Sequence, residues 1–294
     1  MARPQFFLFL PQLRFSMADM VERAQHAEAA GFTGIALMDH LAPPLAEDRP
    51  YLEAMTAATW LAASTSTLTI THLVLCDAFR QPAVLARQAV TLDHASGGRF
   101  ELGIGAGSVP AEFAAFGIAN PGRAARVRRL GETLEVLTRL WSGERVDFDG
   151  EFHSLRGAQA VPAPLSRIPI VIGGTSDEVV ALASKYADWW NMPTYPPADL
   201  AERSARAAPA RASIQQIVAF VPDEASRAAV TETAERRFGG MRGSAPIIGT
   251  PPELRDAFAA AHEQGVERIY LWFADFAPPA TLDAFGAEVI ASGS

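Results

Sequence analysis

Short apolar runs alternate with longer stretches of helical period along nearly the whole chain. Gln5–Leu10 reads as a strand, and Met17–Ala30 as a helix with Ser16 as its N-cap and Gly31 at its C′ position. Gly34–Leu37 is a second strand, followed by a helix near Tyr51–Ala63. Thr69–Leu75 is β-branched enough for a third strand, and Pro82–Ala95 opens with proline, as helices tolerate in their first turn. Phe100–Gly105 and Arg123–Trp141 give the fourth strand and helix. Alternation resumes with strands at Pro169–Ile172, Asp188–Met192, Ile214–Val221 and Glu267–Phe273. Helices are predicted at Ser176–Tyr186, Pro197–Ala207, Glu224–Phe238, Pro251–Gln264 and Pro278–Ile290.

Eight strands, mostly each followed by a helix, predict a (β/α)8 barrel, with an open doubly wound sheet as the alternative. The segment Ser142–Arg167 interrupts the alternation. Apolar residues flank Asp149-Gly150, which predicts a small hairpin, and Pro162-Ala-Pro164 follows it. Because alternation resumes at once, this is an insertion after the fourth helix, and residues 1–294 read as one barrel domain.

Composition narrows the class. The 294 residues are 49% hydrophobic and 20% charged, with a net charge of −8 and one lysine, Lys185. No run of basic residues offers a surface for nucleic acid or anionic lipid. The apolar stretch Phe6–Leu10 is too short for a signal peptide, and no run reaches the roughly eighteen apolar residues of a membrane span. The lone Cys76 has no internal partner, which fits a reducing cytoplasm.

In a barrel the chemistry sits where strands end. The second strand ends in Asp39-His40, an acid and an imidazole, and imidazole is the usual general acid/base near neutral pH. His40 is a catalytic candidate against the alternative of a structural histidine, and Asp39 either orients that ring or caps the loop. Gly103-Ile-Gly105-Ala-Gly107 fails as a dinucleotide fingerprint, because no regular helix start follows and Pro110 intrudes. Its glycines either admit a planar ring or pack the barrel. Gly173-Gly-Thr-Ser176 precedes a helix, where backbone N–H groups and two hydroxyls form an anion site or a simple cap. Cys76 reads as a strand-end packing residue. The histidines show no metal-ligand spacing, so no metal is expected.

Several motifs run in a fixed order: Ala27-Glu-Ala-Ala-Gly-Phe32, Met38-Asp-His-Leu41, Phe79-Arg-Gln-Pro-Ala83 and Leu92-Asp-His-Ala-Ser-Gly-Gly-Arg99 with Leu102-Gly-Ile-Gly-Ala-Gly107. Leu140-Trp-Ser-Gly143, Phe148-Asp-Gly-Glu-Phe152, Pro169-Ile-Val-Ile-Gly-Gly174 and Ile248-Gly-Thr-Pro251 follow. In that order they resemble the luciferase-like monooxygenase superfamily, particularly its coenzyme F420-dependent branch. The resemblance implies a flavin-type ring across the barrel mouth, backed by a non-prolyl cis peptide at Leu73–Val74. It implies that Gly173, Gly174, Thr175 and Ser176 take the cofactor phosphate, and that Gly105, Ala106, Gly107 and Cys76 line its channel. His40 would handle a substrate proton, as in F420-dependent sugar-phosphate dehydrogenases.

Two positions depart from those dehydrogenases. Pro44 stands for their tryptophan, Ser108 for their glutamate, and their phosphate-gripping cations have no clear counterparts. The expected substrate is therefore a neutral carbonyl, alcohol or enone, with Phe113, Phe116, Trp190 and Trp272 as candidate walls and Arg80, Arg87 or Arg123 as candidates for the cofactor tail. The leading expectation is an F420-dependent oxidoreductase. The alternative is a reduced-FMN-dependent monooxygenase served by a flavin reductase, and a non-catalytic barrel is the third reading. A homodimer is expected from the resemblance.

Overall fold

The computed structural model describes residues 3–43, 46, 48–192, 199–240 and 245–291. The elements in chain order are β1 (Gln5–Phe9), α1 (Met17–Ala29), β2 (Gly34–Leu37), α2 (Ala54–Ser64), β3 (Thr69–His72), β4 (Leu75–Cys76), α3 (Pro82–Ser96) and β5 (Leu102–Gly105). They continue with α4 (Pro110–Ala115), α5 (Arg123–Leu140), β6 (Arg145–Asp149), β7 (Ser154–Gln159), β8 (Ile170–Gly173), α6 (Asp177–Tyr186) and β9 (Trp189–Met192). The last are α7 (Leu200–Ala207), β10 (Arg211–Phe220), α8 (Arg227–Phe238), β11 (Ile247–Gly249), α9 (Pro251–Glu263), β12 (Val266–Phe273) and α10 (Pro279–Phe285).

The strands pair in parallel in the order β3-β2-β1-β12-β10-β9-β8-β5-β4, with β11 attached to β10. Strands β3 and β4 are successive pieces of one barrel position. The ring closes where Ile70 N–H donates to the Arg99 carbonyl (2.8 Å) and Glu101 N–H donates to the Ile70 carbonyl (3.0 Å). The result is the expected eight-stranded parallel barrel. The antiparallel hairpin β6–β7 lies between α5 and β8, pinned by Glu132, which accepts N–H bonds from Glu151, Phe152 and His153 at 2.6–3.1 Å.

Three local expectations change. The third strand is not continuous from Thr69 to Leu75: a cis peptide at Leu73–Val74 divides it into β3 and β4. Pro110 does not merely interrupt the chain after β5; it is the first residue of α4. A proline at that position loses nothing, because its missing N–H would have been unpaired. Strand β11, three residues long, is too short to show a period in the sequence. Of the helix expected over 197–207, residues from Leu200 are seen as α7, and Pro197 lies outside the described residues, as does Pro44.

Local chemistry sets the element starts. Ser16 and Asp19 form a reciprocal capping box at α1, and Thr250 with Glu253 does the same at α9. The strands are apolar on both faces, as parallel strands enclosed by helices must be. Inside the barrel, Phe7, Phe9, Ala36 and Tyr270 form a lumen core against which Met38, Leu73 and Trp272 pack.

The N-terminal end of the barrel is closed by Arg268. It is 2% exposed and makes a bidentate pair with Glu101 (2.6 and 3.1 Å). Its guanidinium also lies 4.0 Å from the Phe7 ring centroid and 3.8 Å from that of Trp189. Gln5 and the Tyr270 hydroxyl accept its remaining hydrogen bonds. A guanidinium so buried is tolerable because its donors are matched. Glu101→Ala leaves that cation unpaired and is expected to cost about 3–5 kcal/mol of unfolding free energy, read by urea denaturation. A loss below about 1 kcal/mol would mean that the pair does not hold the barrel floor.

Candidate functional site

The carboxyl ends of the strands open into a cleft of about 440 Å³, within the usual range for small-molecule sites. Asp39 and His40 stand on one side, the Gly105–Gly107 turn on another, and Gly173–Ser176 at the far end. Leu73, Val74 and Cys76 supply the floor. The sequence-nominated residues thus come together around one space, although they derive from four separate strand ends.

The floor depends on missing side chains. A Cβ on Gly103 would lie 1.7 Å from the His72 carbonyl oxygen, and one on Gly105 would lie 2.7 Å from Val74 Cγ2. A Cβ on Gly173 would come within 3.1 Å of the same valine. Glycine therefore lets the break between β3 and β4 press against β5 and β8. Gly107 combines a positive φ of 79° with a Cβ position 2.7 Å from Cys76 Sγ, so no side chain fits there either.

Polar clamps hold the rim. Asp39 accepts the Cys76 N–H at 2.7 Å and pairs with Arg80, which also reaches Glu53 at 2.8 Å. Burial opposes the Arg80 charge, but these carboxylates more than offset it and raise its pKa above the ordinary value. The Asp39 carboxylate therefore does not orient the imidazole. His40 Nδ1 instead lies 2.8 Å from Glu112 Oε2, and Glu112 Oε1 accepts the N–H groups of Leu41 (2.6 Å) and Ala42 (2.9 Å). Gln12, fully buried, pairs its amide with both the N–H and carbonyl of Met38 (3.1 and 2.8 Å) and so fixes the end of β2. Burial pushes the Cys76 thiol up to about 12, leaving it protonated and non-nucleophilic at neutral pH.

At the far end, Ser176 is the N-cap of α6 and lines the cleft with Thr175, beside the helix's first N–H groups, which have no partner within the helix. Among the described residues, the buried Ser176 hydroxyl has no hydrogen-bond partner of normal geometry. Its neighbour is the Glu178 carboxylate, whose pKa is lowered first by its own backbone N–H and then by this hydroxyl. Arg123 lines both the cleft and the adjoining depression beside Ser176, while Arg203 donates to the Thr175 carbonyl.

Of the candidate walls, Phe113 lines the cleft. Phe116 is instead 50% exposed. Trp190 is fully buried on the helix side, where its Nε1 donates to the Gly174 carbonyl at 2.8 Å. Trp272 packs in the lumen against Phe9 and Phe238. Arg87 is bound to the Gln159 and Val161 carbonyls, so Arg123 is the candidate tail arginine that faces the cleft. Among the described residues no group of three potential metal ligands occurs, and no helix is long and apolar enough to cross a membrane.

The sequence model of the luciferase-like monooxygenase family matches residues 5–236. The chain belongs to that family. An F420-dependent glucose-6-phosphate dehydrogenase from Mycolicibacterium fortuitum is 34% identical over 177 residues, covering 60% of this chain and 53% of the dehydrogenase. The chain thus matches about half the length of that relative. Among solved structures, an F420-dependent secondary alcohol dehydrogenase in complex with an F420-acetone adduct superposes with a TM-score of 0.85. The identity is 19%, over 98% of this chain and 99% of that one. A riboflavin lyase with modified FMN and riboflavin gives 0.82 at 16% identity, over 98% and 90%.

Two site residues of this luciferase-like chain escaped the sequence reading. Glu112 lies in α4, which was not foreseen; the available signal was a proline followed two residues later by an acid, as at a helix start. Arg126 is 7% exposed, donates to the Ala106 carbonyl at 3.0 Å and lies 5.2 Å from the Phe113 ring centroid, supporting the glycine turn. It shares a buried helical stripe with Leu130 and Leu134, a spacing visible in the sequence.

His72 lies directly behind the break, fully buried, its Nε2 3.3 Å from the Ala54 carbonyl. Burial, helped by the nearby Arg80 charge, lowers its pKa to about 4. Between about 4 and about 6.5 the unfolded chain therefore binds the extra proton, so stability falls as pH falls through that window. His72→Leu is expected to reduce that acid sensitivity by up to about 3 kcal/mol between pH 7 and pH 4, measured by denaturant unfolding across pH. An unchanged pH slope would contradict a buried neutral His72.

Proposed function

We propose that this chain is an F420-dependent oxidoreductase that moves a hydride between the deazaflavin and a small neutral alcohol, carbonyl or enone. The observation that carries the reading is the floor of Leu73, Val74 and Cys76, seated against Gly103, Gly105 and Gly173, in one cleft with His40, Thr175 and Ser176. A flat ring fits against such a floor, and a phosphate fits Thr175, Ser176 and the α6 N–H groups. When bound, the deazaflavin supplies or accepts hydride at its C5 position. The chain's own residues then bind the phosphate, support the ring and present His40 to the substrate.

The choice of F420 rests on the 34% identity to a dehydrogenase named for that coenzyme. The site argues against sugar phosphate as substrate. The cation beside His40 is Arg80, and it is committed to Asp39 and Glu53. FMN in a monooxygenase is the second reading, favoured by the family match and by the FMN-containing structural neighbour.

Anaerobic fluorescence titration of the purified protein with F420 and with FMN separates the two. F420 is expected to bind at micromolar Kd or tighter, with FMN at least about tenfold weaker, a gap of about 1.4 kcal/mol. Arg123→Ala is expected to weaken F420 binding about tenfold with little change in Tm. Tighter binding of reduced FMN would move the protein to the monooxygenase reading.

A further inference from the structure

The contact between His40 and Glu112 fixes more than a ring position. Glu112 is 4% exposed, and one of its oxygens is committed to the N–H groups of Leu41 and Ala42. The other oxygen lies 2.8 Å from His40 Nδ1. A carboxylate only accepts hydrogen bonds, so the imidazole must carry its proton on Nδ1 when neutral. Nε2 is then left with its lone pair, on a ring that lines the cleft. The His40 backbone N–H is held separately, by the Tyr51 hydroxyl at 3.1 Å, and that hydroxyl donates to the Met38 carbonyl at 2.7 Å. Ring, loop and strand end are thus fixed by different groups.

We propose that Glu112 is the positioning residue of this site, setting the tautomer of His40 so that Nε2 is the atom that exchanges a proton with substrate. The proposal rests on the hydride-transfer reading given above. In the oxidative direction, an alcohol loses its O–H proton to Nε2 as its carbinol carbon gives up a hydride to the deazaflavin, leaving a ketone. In the reductive direction the imidazolium returns that proton to the carbonyl oxygen as the carbon receives the hydride. Glu112, its other oxygen held by the loop N–H groups, lies beside the imidazolium that forms, as carboxylates paired with catalytic histidines do.

Glu112→Gln separates positioning from packing. The amide oxygen is drawn to the two loop N–H groups, because turning the amide round would set its NH2 against both of them. Its NH2 then faces Nδ1, which can only accept, and the ring proton must move to Nε2. The loop survives while the tautomer inverts.

The test is a two-bond 1H–15N correlation spectrum of the histidine-labelled, cofactor-free protein, with His40 assigned by His40→Asn. The wild type is expected to show neutral His40 protonated on Nδ1, and Glu112→Gln to show it protonated on Nε2. In turnover of a secondary alcohol with F420, the variant is expected to lose at least about 100-fold in kcat with KM for F420 nearly unchanged. A wild-type His40 protonated on Nε2, or a variant still protonated on Nδ1, overturns the proposal. If the variant does not fold, the wild-type spectrum decides alone. Tautomer inversion on Glu112→Gln, in a protein whose wild type neither binds nor turns over F420, would overturn the cofactor reading and support the control of His40 by Glu112.

Discussion

The barrel mouth depends on a steric constraint: two strands, β5 and β8, must approach the break in the third strand, and at Gly103 and Gly105 they do so more closely than a side chain permits. Gly103 meets the His72 carbonyl, and Gly105 and Gly173 meet Val74. With alanine at Gly103 the required approach would overlap two atoms outright, so β5 could not take its place in the ring. Because the break is seated there, Cys76 N–H falls within reach of Asp39, and Asp39 in turn holds Arg80. The rim geometry follows from that chain of contacts.

The two ends of the barrel use charge differently. At the N-terminal end, Arg268 and Glu101 are sealed in aromatic surroundings and satisfy one another, which suits a floor that never opens. At the C-terminal end, three ionic pairs join different segments: Asp39 with Arg80, Asp77 with Arg129, Glu112 with His40. These pairs tie the strand ends to the segment before α3, to α4 and to α5 around a cleft that remains open to ligand. His40 is exceptional among them because one ring nitrogen is committed to Glu112 while the ring lines the cleft.

The barrel was legible in the sequence because its signal is redundant: eight apolar runs, most with a helix behind them, tolerate errors of a residue or two at each end. The Leu73–Val74 cis peptide came from family resemblance, since the local sequence from Thr69 to Leu75 is that of an ordinary strand. Glycines at 105 and 107 were readable as close-approach or packing positions, but their partners, Val74 and Cys76, were not, because pairing across strands leaves no trace in a single sequence. Glu112 was missed for a related reason. It lies seventy-two positions from His40, on a six-residue helix too short to show a period. Asp39, adjacent in sequence, was the natural candidate to orient the imidazole, yet successive residues at a strand end point apart. Trp190 and Phe116 were misplaced as walls because apolar character alone does not say which face of an element a ring occupies.

The central claim is that the glycine-lined floor and the α6 N-terminus together hold one deazaflavin beside His40. An experimental structure of the protein soaked with F420 tests it most directly. The account predicts the ring against Leu73–Val74, its phosphate at Thr175 and Ser176, and C5 on the side of the cleft facing His40. Cofactor bound elsewhere on the molecule, or a ring turned with its phosphate away from α6, would contradict it.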